Sequence, residues 1–256
     1  MKTMRCLCIL LGIASLLTLR AGAQQPQATP PPLAPGPLLS RAPAYSQWLV
    51  SIKYASGAPG ASVSVPDAQT KYDQRTLVRK TGDIRYEVTV TADKQKTEKW
   101  CRGNVQATVI PGVADPEISQ SGSRGRGNTG FADYSKTDFP GFDWISKGNY
   151  TGVQTIEGVP CIVFHTGSDS GSAPAASPAP AAGGGAAAIA IPSGGSTAYI
   201  SDEGRLPVLL VTDNGVNFYQ FEAAPTVPLV LPPKVQAAID FLQARLQQAA
   251  APAAIP

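Results

Sequence analysis

Apolar and polar residues alternate in several short stretches of this chain, and a period of two predicts β-strands with two different faces. In residues 45–54, Trp48, Val50 and Ile52 fall on one side of such a strand and polar residues fall among the alternates. The alternation is clearest in residues 84–91, where Ile84 begins a series of apolar residues at every second position. Further strand patterns follow in residues 96–110, 149–166 and 196–222.

Short turn signals separate these patterns and indicate how the strands connect. Gly82, Gly103 and Gly158 each stand between two strand patterns, which is typical of hairpins. Strands joined by tight turns at intervals of about ten residues form an antiparallel meander rather than alternating strand-helix units. The sequence therefore predicts a mainly β (α+β) fold, with a curved antiparallel sheet or half-barrel.

The spacing of apolar residues changes near the end of the chain and predicts one helix. After Pro233, the residues Val235, Ile239, Leu242 and Leu246 recur at helical spacing, with polar residues on the other side. We expect this amphipathic helix to pack on the sheet. A helix that binds a membrane surface or a partner is the alternative.

Three segments lack any periodic pattern and set the predicted domain boundaries. Residues 24–43 are proline-rich and predict a flexible tether, and residues 250–256 predict a disordered tail. Residues 167–196 form a low-complexity Ala/Gly/Ser/Pro stretch with too few bulky apolar residues to build a core. We interpret that stretch as a long loop within a single β-rich domain at 44–249, although it could instead separate two domains.

The first 23 residues have the layout of a cleaved secretory signal. Lys2 and Arg5 precede an apolar run, and Ala21-Gly22-Ala23 places small residues before a cleavage site. The run is shorter than the roughly 20 apolar residues that span a bilayer. We therefore expect an exported protein, periplasmic or extracellular, with no transmembrane segment in the mature chain. Arg20 places a charge between the apolar run and the cleavage site, which is unusual in a cleaved signal. An uncleaved membrane anchor is therefore the alternative.

Composition argues against a nucleic-acid-binding protein. Only 15% of the residues are charged, and 3 of the 21 basic residues lie in the predicted signal, which leaves 18 to balance 18 acidic ones. A nucleic-acid-binding surface requires a basic excess that this balance does not supply.

The chain contains four cysteines, of which Cys6 and Cys8 lie in the predicted signal and Cys101 and Cys161 do not. In an oxidising compartment an isolated pair favours a disulfide, so we predict a bridge between Cys101 and Cys161. Two buried free thiols are the alternative.

No catalytic motif is present, and we expect neither an enzyme nor a cofactor or metal site. The single histidine, His165, ends a predicted strand, where a structural role is favoured over catalysis. Asp133, Asp138 and Asp143 recur every five residues near aromatic side chains. Because a spacing of five matches neither a strand nor a helix, we interpret them as solvated loop residues.

Short pieces of the second half resemble the LolA-like family of lipoprotein carriers and outer-membrane lipoprotein-sorting proteins. These pieces are residues 158–161 (GVPC), 198–202 (AYISD), 206–208 (LPV), 218–221 (FYQF) and 231–232 (LP), within a resemblance that covers about residues 75–232. The resemblance implies an incomplete, curved antiparallel barrel whose cavity binds acyl chains. The proline-rich stretch before the first strand and the Ala/Gly stretch depart from the family's usual pattern.

Such a cavity would bind a lipid or a lipoprotein acyl group by apolar burial alone, without catalysis. The predicted lining consists of apolar and aromatic strand residues: Trp48, Ile52, Tyr86, Val88, Val163, Tyr199 and Phe218. The alternative function is a structural or interaction protein of the cell envelope, whose sheet is filled by its own side chains. An apolar cavity of several hundred cubic ångströms would favour the carrier.

Overall fold

The computed structural model describes residues 30–55, 62–64, 71–120, 134–167, 188–190 and 195–250. The predicted signal at 1–23 and most of the predicted low-complexity loop lie outside these residues. The strands are β1 (Tyr45–Tyr54), β2 (Ser62–Ser64), β3 (Gln74–Thr81), β4 (Ile84–Thr91), β5 (Lys96–Arg102), β6 (Val105–Val109), β7 (Glu117–Gln120), β8 (Tyr150–Ile156), β9 (Val159–Thr166), β10 (Ala188–Ala190), β11 (Ser196–Ser201), β12 (Pro207–Thr212) and β13 (Gly215–Glu222). One helix, α1 (Pro233–Ala250), follows the last strand, and a short 3-10 helix (Lys147–Asn149) precedes β8.

Eleven of these strands form one antiparallel sheet in the order β7-β6-β5-β4-β3-β1-β13-β12-β11-β9-β8. β7 and β8 are the two edges, so the sheet does not close into a barrel. The predicted mainly β fold with a C-terminal helix is confirmed. β2 and β10 pair in a separate two-stranded sheet, and β10 lies within the stretch predicted as a loop.

The register divides the eleven-stranded sheet into two faces, because directly paired residues project to the same side and neighbours along a strand to opposite sides. Trp48 pairs with Val78 and Phe221, and these residues define the Trp48 face. Leu49 pairs with Leu77 and Gln220, and these define the Leu49 face. Both faces carry buried side chains, so the sheet is the middle layer of the fold.

The Trp48 face is covered by residues 134–149, which we call the strap, and by the residues just before β1. Phe139 of the strap contacts both Trp48 and Phe221, with ring centroids 5.5 and 6.0 Å away. Before β1, Ala42 is buried and Leu33, Leu38 and Leu39 pack against the same cluster. The described part of the proline-rich segment is therefore packed on the sheet, which corrects the prediction of a flexible tether. The leucines of this segment contact the sheet, but their irregular spacing gives no periodic pattern from which such packing could be predicted.

One end of the Leu49 face is covered by α1. Val235 and Ile239 of the helix pack with Trp100, Val105 and Ala107 of β5 and β6. The helix therefore packs on the sheet, as the sequence predicts. Near the other end of the face lies a second buried cluster from β8, β9, β11, β12 and β13: Ile156, Cys161, Val163, Tyr199, Leu209, Val211 and Val216.

Gly215 opens β13 at a position where the backbone of β1 approaches closely. Its φ is +141°, and a Cβ added there would lie 2.2 Å from the Lys53 carbonyl oxygen. Only glycine fits this conformation and this approach. The turn before β13 therefore requires the glycine that the sequence places in Asp213-Asn214-Gly215.

Candidate functional site

An apolar cavity of about 430 Å³ lies beside the central strands of the sheet. Its lining comes from the β8–β9 turn, the β11–β12 connection, β13, β1 and the residues before β3. These residues are Ser51, Tyr72, Ile156, Glu157, Val159, Ser201, Leu206, Pro207, Val208, Phe218, Tyr219, Gln220 and Phe221. We call it the apolar cavity.

Two tight turns place the apolar residues at its rim. Glu157 and Gly158 both have positive φ values, 50° and 82°, as a two-residue hairpin turn between twisted strands requires. This turn brings Ile156 opposite Val159. In the β11–β12 connection, Ser201 N donates to the Leu206 carbonyl at 2.8 Å, which directs the chain into Pro207 and Val208.

The lining contains few groups that could do chemistry. Glu157 is the single charged residue among the lining residues, and it is exposed on the turn. Burial raises the pKa of Tyr219, so its phenol stays protonated at neutral pH. The Arg75 guanidinium lies 4.3 Å from the centroid of the Tyr72 ring at one side of the cavity. The arrangement can bury apolar groups, and its polar groups are confined to a few positions.

Of the seven residues predicted to line a cavity, Phe218 alone lines this one. The register places Trp48 and Ile52 on the face opposite Phe218, so the seven do not share one inner face. Trp48 is almost fully buried against Phe139. Val163 and Tyr199 lie in the buried cluster next to the cavity. Tyr86 contacts Trp100, with ring centroids 4.2 Å apart, in the cluster that α1 covers. Val88 lies on the Leu49 face between these regions.

Sequence reasoning also missed a cluster of charged residues on the Trp48 face, where β3, β4 and β5 meet the strap. Arg85 and Glu87, two residues apart on β4, form a buried ion pair with Nε and Oε1 2.6 Å apart. The Arg85 guanidinium lies 5.0 Å from the Trp48 ring and 4.1 Å from the Tyr134 ring. Its Nη1 donates to the Asp138 carbonyl at 2.8 Å. Arg85 thereby joins the sheet to the strap.

Asp138 connects the strap to the residues before β1. Its carboxylate accepts from Arg41 Nε at 2.7 Å, Lys80 Nζ at 2.9 Å and Ala42 N at 3.0 Å. Asp138 is only 3% exposed, which corrects its prediction as a solvated loop residue. A carboxylate in an aperiodic segment gives no sequence signal of burial, because the partners that stabilise it are distant in the chain.

The pKa values of both carboxylates are lowered. Burial by itself would raise the pKa of Glu87, but the charges of Arg85 and Lys99 and hydrogen bonds from Arg85 and Tyr134 outweigh it. For Asp138, burial is likewise outweighed by the hydrogen bonds and charges of Arg41 and Lys80. Both groups are therefore ionised at neutral pH, and each is held by two cations.

The predicted disulfide is not present. Cys101 and Cys161 are free, buried thiols, and six strands separate β5 from β9 in the sheet. Cys101 projects from the Trp48 face and Cys161 from the Leu49 face, as the register shows. Burial raises the pKa of Cys101 to about 12 and that of Cys161 to about 11, so both remain thiols at neutral pH.

His165 lies near the end of β9, and its Nδ1 lies 3.0 Å from the Thr197 hydroxyl on the neighbouring strand. Among the residues that the structure describes, no group of three or more His, Cys, Asp or Glu side chains could hold a metal ion. Within the same residues, no helix has both the length and the apolar character needed to cross a membrane.

A comparison with solved structures matches this chain to the crystal structure of the LolA superfamily protein NE2245 from Nitrosomonas europaea. The match covers 76% of this chain and 91% of that chain, at 12% sequence identity and a TM-score of 0.28. The superfamily it names is the one that the short sequence pieces resemble. No protein-family model matches the chain, and no curated protein sequence matches it.

Proposed function

We propose that this protein is a non-enzymatic, exported carrier that binds an apolar ligand, a lipid or the acyl chains of a lipoprotein, in the apolar cavity. The observation that carries the proposal is the cavity itself. Its volume of about 430 Å³ lies within the range of about 300–1,000 Å³ that is typical of small-molecule sites. Its lining is largely apolar, as in sites that bind by burial with a few polar groups fixing orientation.

The resemblance of residues 158–161, 198–202 and 218–221 to the LolA-like family supports the same class of ligand, because these residues include or flank part of the cavity lining. The proposal places the mature protein in the bacterial periplasm or outside the cell, with residues 1–23 removed. The mass of the protein recovered from the exported fraction tests this part, since a mature chain beginning at Gln24 is expected.

The binding proposal is tested with a homologous series of straight-chain alcohols from eight to sixteen carbons, titrated by displacement of a fluorescent apolar probe. Burial of each methylene contributes about 0.8 kcal/mol, so affinity should rise about fourfold per carbon. The rise should end at the length that fills the cavity. Affinity that does not change with chain length would contradict the proposal.

Two matched variants locate the binding. Val159 lines the cavity and is 38% exposed, whereas Val153, on the other strand of the same hairpin, is 51% exposed and projects from the Trp48 face. Val159→Trp should fill part of the cavity and weaken binding of the longest alcohols, because a large ring occupies their space. Val153→Trp should bind like the wild type. Equal effects of both variants would place the ligand elsewhere.

The alternative function, a structural or interaction protein without a ligand, is supported by the Trp48 face, which the chain fills with its own side chains. Native mass spectrometry of protein purified from its own periplasm separates the two. Co-purified lipid supports the carrier, and protein that repeatedly carries no bound species supports the structural role.

A further inference from the structure

A second, smaller cavity of about 210 Å³ lies on the Trp48 face at the end of β3, beside the charged cluster. It differs from the apolar cavity because most of its lining is charged or polar. The lining residues are Arg41, Lys80, Gly82, Asp83, Arg85, Cys101, Gly103, Tyr134, Ser135 and Asp138. We call it the basic cavity.

The charges around the basic cavity do not balance. Arg41, Lys80 and Arg85 line it, and their negative counterparts in the lining are Asp83 and Asp138. Farther from the cavity, Glu87 pairs with Arg85 and also lies 3.7 Å from Lys99. Including Glu87 and Lys99 adds one negative and one positive charge, so the excess of one positive charge is unchanged. Among the residues that the structure describes, the group therefore holds one positive charge more than its carboxylates, because Arg41, which is 49% exposed, and Lys80 share Asp138. An added anion would be attracted by this excess positive charge.

Counting only the residues that the structure describes, Lys80 and Arg85 also have unused hydrogen-bond donors. Lys80 Nζ donates to the Ala42 carbonyl and to Asp138, which uses two of its three N–H groups. Arg85 donates to Glu87 and to the Asp138 carbonyl, which uses two of its five. The remaining donors belong to side chains that line the cavity. A tetrahedral oxyanion can accept from several such donors at once, and arginine and lysine are the side chains that usually bind phosphate.

We infer that the basic cavity binds a phosphate group, either as free phosphate or as the end of a larger molecule such as a lipid headgroup. Lys80 and Arg85 hold the anion from the sheet. Arg41, whose Nε, Nη1 and Nη2 already donate to Asp138, Ser135 and Tyr134, contributes its charge from the segment before β1. This site lies on the opposite face from Val159 and Phe218, and the inference does not rest on the proposed function.

The test is a titration of the full chain with inorganic phosphate, monitored by nuclear magnetic resonance and by calorimetry. Chloride is added to keep the ionic strength constant. Saturable 1:1 binding is expected, with the largest amide shifts at Gly82 and Gly103, which line the cavity. Lys80→Gln should weaken binding about tenfold or more, because a hydrogen bond to a charged group is lost. Arg79→Gln is the matched control. Arg79 is adjacent to Lys80 on β3, but it projects from the opposite face and donates to Gln47. It should change the dissociation constant less than twofold.

Phosphate that binds no better than chloride would overturn the inference, as would equal losses in Lys80→Gln and Arg79→Gln. Lys80→Arg, which keeps the charge, should retain binding. If Lys80→Gln does not fold, the wild-type amide shifts decide, because shifts distant from Gly82 and Gly103 contradict the site.

A second arm distinguishes the sources of the phosphate group by using glycerol phosphate and vesicles of phosphatidylglycerol or phosphatidylcholine. Binding of glycerol phosphate comparable to that of free phosphate supports a soluble ligand. Binding to phosphatidylglycerol vesicles that is lost in Lys80→Gln supports a lipid headgroup. Vesicle binding that Lys80→Gln leaves intact counts against the site.

Discussion

Arg85 and Glu87 form an ion pair with a separation of 2.6 Å, and both side chains are only 8% exposed. The pair lies beneath the strap, where Tyr134 covers the guanidinium and the Asp138 carbonyl accepts from it. Each charge is thereby held by its partner rather than by water. Removal of one member alone would leave the other charge buried without its partner.

Glu87→Gln should destabilise the protein by about 3–5 kcal/mol, because it leaves Arg85 buried without a counter-charge. The free energy of unfolding from denaturant titration is the measurement. The double substitution Arg85→Met with Glu87→Leu should recover part of the loss, since it removes both charges. A double variant less stable than Glu87→Gln would contradict this account.

The lowered pKa of the Asp138 carboxyl group should make the stability of the protein depend on pH. A carboxyl group whose pKa is lowered by folding stabilises the native state at pH values above its unfolded pKa, about 3.9 for Asp. This contribution is lost as the pH falls below about 4, through the lowered folded value. We expect Asp138→Asn to be less stable than the wild type at pH 6 and to lose less stability between pH 6 and pH 3. Thermal unfolding across that range measures both effects.

Asp143→Asn is the control for this experiment, because Asp143 lies in the same strap and is exposed. It should keep the pH dependence of the wild type. If Asp138→Asn also keeps it, the Asp138 carboxylate does not contribute as described.

The two buried thiols should be inert in the folded protein. Because burial raises their pKa values to about 12 for Cys101 and about 11 for Cys161, and the thiolate is the reactive form, an alkylating reagent at pH 8 should label neither. In denaturant without a reductant, peptide mapping should find both labelled. Recovery of a Cys101–Cys161 disulfide peptide would show instead that the bridge forms.

The contact between α1 and the sheet should be sensitive to truncation at one helix position and insensitive at another. Ile239 is fully buried against β6, whereas Phe241 is 66% exposed. Ile239→Ala should cost about 2–5 kcal/mol of unfolding free energy through the cavity that it leaves. Phe241→Ala should cost about 0.5 kcal/mol or less. Similar losses in denaturant titrations of the two variants would mean that α1 packs differently.

The strands and the helix could be predicted because their periodicity is local. The alternation in β1 and β4, the hairpin glycines and the helical spacing from Val235 are readable within ten to fifteen residues. The strap could not be predicted, since Phe139 and Phe142 have no regular spacing and are fixed by aromatic contacts with distant strands. The charged cluster was missed for the same reason, because Arg41, Lys80 and Asp138 are far apart in the chain.

The predicted cavity lining and the lining of the apolar cavity have only Phe218 in common. Alternation shows which residues of one strand share a face, but it does not relate the faces of two strands. Alternation alone therefore assigns Trp48 and Phe218 to one lining. The pairing of Trp48 with Phe221 and of Ser51 with Phe218 places them on opposite faces, and such long-range register has no signature in either strand alone.

The position of β1 between β3 and β13 has a consequence for the order of assembly. Gln47 of β1 and Glu222 of β13 are 175 residues apart in the chain yet adjacent in the sheet. While the chain is being synthesised, β1 can pair with β3 but leaves its other edge unpaired until β13 emerges. Such non-local pairing slows folding, and an open strand edge can pair with other chains. The β1–β13 pairing at the centre of this sheet can therefore form only after nearly the whole chain is available.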